Sequence, residues 1–138
     1  MIFEAAIDRL TRQAAPSLRA QFGVGSDVAA TLIIAAGDNP DRLVTESSFA
    51  ALCGVSPIPA SSGKTKRFRL NRGGDRQANA ALHAVCLVRM QRDPRTRAYV
   101  ARRTAQGLSK KDIMRCLKRY IARDVYRELI KNTHLDPT

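Results

Sequence analysis

From Asp75 to Lys131 the chain places apolar residues at helical spacing, interrupted only at Asp93-Pro94 and at Gly107. Ala78, Ala81, Leu82, Val85 and Val88 recur every three or four positions, which puts them on one face of a helix. Asp93 offers a side-chain cap and Pro94 a first helical residue whose missing N–H is not needed, so a second helix starts there and closes at Gly107. Ser109 with Asp112 resembles a capping box and opens a last helix that runs to about Lys131. A period near 3.6 over this length is incompatible with a sheet.

The earlier part of the chain reads as shorter helices. Residues 2–15 bring Ile2, Phe3, Ala6, Ile7 and Leu10 near one face, and Pro16-Ser17 interrupts them. Leu18 to Phe22 forms a short segment, Gly23-Val24-Gly25 a tight turn, and Ser26-Asp27 caps a helix that ends at Gly37-Asp38. Residues 39–44 read as loop, and Thr45 to Cys53 as a helix stopped by Gly54. Between Val55 and Gly74, prolines and glycines bracket a basic stretch without helical period, within which Lys64 to Leu70 alternates weakly and is compatible with one strand of a short β-hairpin. The expected fold is mainly α: a helix-hairpin-helix plus a helical bundle, with one basic irregular insertion, in a single domain over residues 1–138. Its parts are a connector helix (1–16), the hairpin (17–38), the basic loop (55–74), a basic helical region (75–131) and a tail (132–138).

Charge narrows the function. The net charge of +12 is unevenly placed: residues 1–60 hold four cations and six acids, residues 61–138 twenty cations and six acids. A half-chain at net +14 attracts phosphate polymers or anionic membranes. The longest apolar stretch, Val28 to Ala36, is too short for a bilayer, and the N-terminus lacks the cations of a signal peptide. Nucleic acid is therefore the expected partner, in a cytoplasmic, nucleoid-associated setting. Three widely spaced cysteines, Cys53, Cys86 and Cys116, form no disulfide framework, and His83 with Cys86 reads as a buried thiol beside a satisfied histidine.

Four segments carry residue types suited to phosphate chemistry. In the hairpin, Gly23 and Gly25 let the backbone approach a phosphate; the same turn also serves simply to join two packed helices. In the loop, Ser61 and Ser62 stand directly before Gly63 and precede Lys64, Lys66, Arg67, Arg69 and Arg72. A serine attacking a phosphodiester needs neutralised phosphate charge, which these cations supply, and a base, for which the neighbouring sequence offers none. By composition alone the segment reads as a flexible basic loop. On the last helix Lys111, Arg115, Arg119, Arg123, Arg127 and Lys131 recur every four residues, a slowly winding stripe opposite Ile113, Leu117, Tyr120, Ile121, Val125 and Leu129. Arg72-Gly73-Gly74-Asp75-Arg76 precedes a helix start, where Arg76 joins the candidate nucleic-acid ligands.

The order of these blocks is more specific than any one. Phe22-Gly23-Val24-Gly25 with Ala29-Ala30-Thr31-Leu32 and Gly37-Asp38 comes first, then Phe49 to Pro57. Ser61-Ser62-Gly63-Lys64, Arg72-Gly73-Gly74-Asp75-Arg76 with Asn79, Ala80 and Leu82, and Arg115 to Tyr120 follow. The series resembles the C-terminal transposase domain of the IS-one-ten family of insertion sequences, bridge-RNA-guided serine recombinases, over roughly residues 15–131. The resemblance implies a serine that forms a covalent phosphoserine link to DNA, mapped onto Ser62 with Ser61 as its neighbour. It also implies a structured guide RNA, a homo-oligomer or association with full-length transposase, and a magnesium site belonging to a RuvC-like domain.

Two departures qualify that expectation. The sequence opens in the connector before the hairpin, so the RuvC-like domain is expected to be missing, and with it any metal ligand or cofactor of this chain. Where many members carry a glutamate at the end of the hairpin segment, this chain has Ala35. The expectation is thus a transposase part that binds nucleic acid but does not recombine it alone. The alternatives are a non-catalytic nucleic-acid-binding module and an inhibitory fragment of a full-length transposase.

Overall fold

Two long helices organise the molecule, and the shorter ones are laid against them. The computed structural model describes residues 2–56 and 74–133. In chain order they form α1 (Ile2–Ala14), α2 (Pro16–Arg19), α3 (Ser26–Asp38), a 3-10 turn (Pro40–Leu43), α4 (Glu46–Leu52), α5 (Arg76–Arg92), α6 (Pro94–Ala105) and α7 (Lys110–Thr133). The fold is mainly α, with no strand among the described residues. The strand expected at Lys64 to Leu70 lies outside them.

Most helix starts follow from their caps. Asp75 is extended, and its carboxylate accepts a hydrogen bond from the Ala78 N–H at 2.9 Å, opening α5. Asp93 accepts from the Arg95 N–H at 3.3 Å and from the buried Thr96 hydroxyl at 2.7 Å, opening α6 at Pro94. Thr45 and Ser48 cap α4 reciprocally. Ser109 accepts from the Asp112 N–H at 3.2 Å, but the Asp112 carboxylate turns to Arg115 at 3.4 Å, so only half of the expected box is formed.

Three boundaries differ from the sequence reading. Pro16 begins α2 rather than merely interrupting α1, because proline is favourable in a first helical turn. Gly25, not Ser26-Asp27, is the N-cap of α3; its carbonyl accepts from the Ala29 N–H at 3.0 Å and no side chain caps that end. Pro40 starts a 3-10 turn within the stretch expected to be loop.

α5 lies at the centre, packed on α3, α6 and α7, while α1 rests on α3 and α4 closes on α7. Leu18, Leu32, Phe49, Leu82, Val85, Ile113, Ile121 and Val125 are fully buried where these helices meet. The apolar row of α7 is offset from its basic row by two residues, about 200° of helix, so one row can be buried while the other faces out. Tyr120 departs from the expected core face: it sits about 100° from its neighbour Ile121 and is 45% exposed. Val88 is only half-buried. On α1 the buried face is rotated from the expected one, with Ala6 and Ile7 only half-buried. Phe3 and Leu10 are exposed, and the helix instead buries Thr11, with Ala15 just beyond its end.

Polar ties fix the angles between elements. Arg19 reaches Asp8 at 2.8 Å and the Thr11 hydroxyl at 2.8 Å, joining α2 to α1. Arg89 of α5 donates to the Phe22 carbonyl at 2.8 Å and to Asp124 of α7 at 3.3 Å. Tyr126 donates to the Leu43 carbonyl at 3.1 Å, holding the 3-10 turn on α7.

Hydrogen bonds from Arg19 first, and then Arg12, hold the Asp8 carboxyl below its ordinary value of 3.8. A depressed carboxyl stabilises the fold above its unfolded-state value and loses that contribution as pH falls through the folded one. Thermal melts across the acid range are therefore expected to show a steeper loss of Tm below about pH 4 in the wild type than in Asp8→Asn.

Candidate nucleic-acid interface

Residues 57–73, which include Ser61, Ser62, Lys64, Lys66, Arg67, Arg69 and Arg72, lie outside the described residues, but both ends of that segment are placed. The Asp75 N–H donates to the Leu52 carbonyl at 2.6 Å. The Asn79 side-chain amide donates to the Cys53 carbonyl at 2.9 Å. Gly54 takes φ +71°, a left-handed conformation that lets the chain turn after α4. A Cβ added there would also come within 3.2 Å of the Asn79 amide nitrogen. At Gly74 an added Cβ would meet the Gly54 Cα at 3.6 Å. The loop therefore leaves and returns at one point.

The basic row of α7 passes beside that point. Lys111, Arg115, Arg119, Arg127 and Lys131 are exposed and Arg123 is half-exposed. Because each step of four overshoots a turn by about 40°, the row crosses from one side of the loop's base to the other. Lys111 and Arg115 line a cleft of about 310 Å³ with Gly54, Asn79 and His83. Arg119 and Arg123 line another, of about 370 Å³, with Ser56, Glu46 and Tyr120. Arg76 is exposed in the first turn of α5. The pairs Glu46–Arg123 (3.4 Å), Asp112–Arg115 (3.4 Å) and Glu128–Lys131 (3.3 Å) moderate the row, but the first two are solvent-exposed on both sides and hold their cations weakly.

Two lining residues were missed in the sequence. His83 and Lys118 face the same cleft as Lys111 and Arg115. The spacing that could have found His83 is its place four residues after Asn79, on the same side of α5. His83 and Cys86 do not converge: Cys86 is buried, its thiol lies 3.8 Å from the Met90 sulfur, and it lines a different cleft. Among the described residues no group of three or more His, Cys, Asp or Glu side chains could hold a metal ion.

At the hairpin turn the two glycines differ. Gly23 has φ +86°, and a Cβ there would approach the Val85 carbonyl and side chain at 3.3 Å, so packing on α5 accounts for it. Gly25 is exposed with open space around it. α2, which stands where the first helix of the expected hairpin would lie, is a single turn.

The cysteines sit in unlike surroundings. Burial, reinforced by the Asp75 charge, pushes the Cys53 thiol up to about 12. Burial also raises Cys86, against the pull of Lys118 and Arg89. Cys116 is half-exposed beside Arg119 and Tyr120. Burial first, then the neighbouring Cys116 and Tyr120, raises the Tyr99 phenol above its ordinary value.

The family model described as Transposase IS116/IS110/IS902 family matches residues 9–101, from α1 through the hairpin and the loop into α6. The chain belongs to this family. As a transposase-family protein it is expected to meet DNA, and among its described residues no helix is long and apolar enough to cross a membrane. The match stops short of α7, so the basic row stands beyond the matched span. No curated protein matches the chain.

Replacing Asn79 by alanine leaves the Cys53 carbonyl without its donor, and chemical denaturation is expected to show a loss of about 1–2 kcal/mol. Thiol labelling of the native protein is expected to modify Cys116 first, with Cys53 and Cys86 reacting only on unfolding; mass spectrometry of the peptides checks the order.

Proposed function

We propose that this chain is the DNA-binding, serine-bearing C-terminal part of an insertion-sequence transposase. One observation carries the reading: the pinned base of the Ser61-Ser62 loop opens between two clefts that α7 lines with cations. A phosphate near that base is drawn in by Lys111, Arg115, Arg119 and Arg123, and the loop's own Lys64, Lys66, Arg67, Arg69 and Arg72 add to the field.

The Ser62 hydroxyl, with Ser61 as its neighbour, is the nucleophile. Its oxygen bonds to the phosphorus, the bond to the departing sugar oxygen breaks, and that oxygen takes a proton while the serine proton passes to a base. Residues 57–73 contain no Asp, Glu, His or Cys, so neither that base nor a metal ligand comes from the loop. By the resemblance to that family, the base and the metal site belong to a RuvC-like domain, with a structured RNA as the guide. Alone, the chain binds nucleic acid without cutting it.

With a full-length relative supplying the RuvC-like domain, Ser62→Ala is expected to abolish covalent protein–DNA adducts on denaturing gels. The double variant Arg119→Ala, Arg123→Ala is expected to weaken DNA binding roughly tenfold or more and to reduce its salt slope by about 2. Metal-dependent strand breakage by the isolated chain, or adducts that persist without Ser62 and Ser61, would overturn the reading.

A further inference from the structure

The chain has seven aromatic residues and no Trp, too few for an extended base-stacking platform. Two of its three tyrosines nevertheless meet at one place. Tyr99 of α6 and Tyr120 of α7 stand edge to face, with ring centroids 5.8 Å apart and planes at 87°. Guanidinium groups surround them: Arg102 lies 5.3 Å and Arg103 5.9 Å from the Tyr99 centroid, and Arg123 lies 5.2 Å from that of Tyr120.

Tyr120 is also a ridge. On one side is the cleft it shares with Arg119 and Arg123. On the other is a cleft of about 540 Å³ between α5, α6 and α7, which it shares with Arg95, Arg102 and Tyr99. That volume falls within the range of small-ligand sites. The two carboxylates in the larger cleft are engaged internally, Asp124 by Arg89 and Asp93 in the cap of α6. Arg95, Arg102 and Arg119 form no ion pair among the described residues, so cations lie on both sides of the exposed ring.

We propose that Tyr120 is a stacking post for an unpaired nucleobase, with the phosphates on either side of that nucleotide held by Arg102 in one cleft and Arg119 in the other. This rests on the nucleic-acid-binding reading above and adds the class of ligand: a single-stranded segment. The ring face is now covered by the planar Arg123 guanidinium, a group that a base resembles in shape and can displace or stack upon. Among the described residues Arg123 is otherwise held by the half-exposed Glu46 alone, at 3.4 Å, an exposed pair that can give way to a phosphate. Bases inside a duplex are already stacked and cannot reach the ring, so the site selects unpaired nucleotides.

The test uses the whole chain with a thymidine homopolymer, a uridine homopolymer and a duplex of equal length. Because the chain lacks Trp, quenching of tyrosine emission reports stacking directly. Tyr120→Ala is expected to weaken single-strand binding at least about fivefold and to remove most of the quenching, leaving duplex affinity and helical circular dichroism unchanged. Tyr120→Phe keeps the ring and is expected to bind single strands as the wild type does. A loss confined to one backbone supports the site and identifies whether DNA or RNA fills it. Equal losses on duplex and single strand, or no loss on either single strand, overturn the inference. If the wild type binds duplex while Tyr120→Ala leaves single-strand binding intact, this inference falls and the broader reading stands; if it binds none of the three, both fall.

Discussion

The clamp between the end of α4 and the start of α5 is the constraint on which the rest depends. A single backbone bond from Asp75 to Leu52, seconded by the Asn79 amide on Cys53, brings together two chain segments separated by the basic loop. Closing such a loop costs conformational entropy that grows only slowly with its length. Here the closure is offset by burial on both sides, since Leu52, Cys53, Ala78 and Leu82 all enter the core at this junction. The two ends of that segment are therefore held together beside α7.

The acids explain how so basic a half-chain folds at all. Asp75 and Asp93 are spent on helix caps, and Asp124 holds Arg89 between α5 and α7. Asp112 and Glu128 sit within the row itself, each beside one of its cations. Few negative groups are left to meet a ligand. The carboxylates build the scaffold, and the unmatched cations are what the surface presents.

Much of this was legible in the sequence because it is local. Caps such as Asp93-Pro94, and the opposed rows of α7, follow from spacing along one helix. What was not legible depends on contacts between distant segments. Phe3 and Leu10 share a face on α1, yet Arg19 draws the helix down through Asp8 and Thr11 and leaves both outside. Tyr120 looked like core because it is apolar and seven residues after Ile113, but the buried row had by then wound past it. His83 joined the candidate site only when the turn at Gly54 came back to α5. The placement of Gly23 against Val85 likewise needed the third dimension.

The winding of α7 bears on what it can touch. Between Lys111 and Lys131 the row makes five steps of four residues and turns through roughly 200°, so its two ends look in nearly opposite directions. A straight polyanion laid along the helix meets only the cations of one stretch. Engaging the whole row takes either a strand that wraps around the helix or two separate strands on opposite sides. α7 is in that sense a spindle rather than a single flat face.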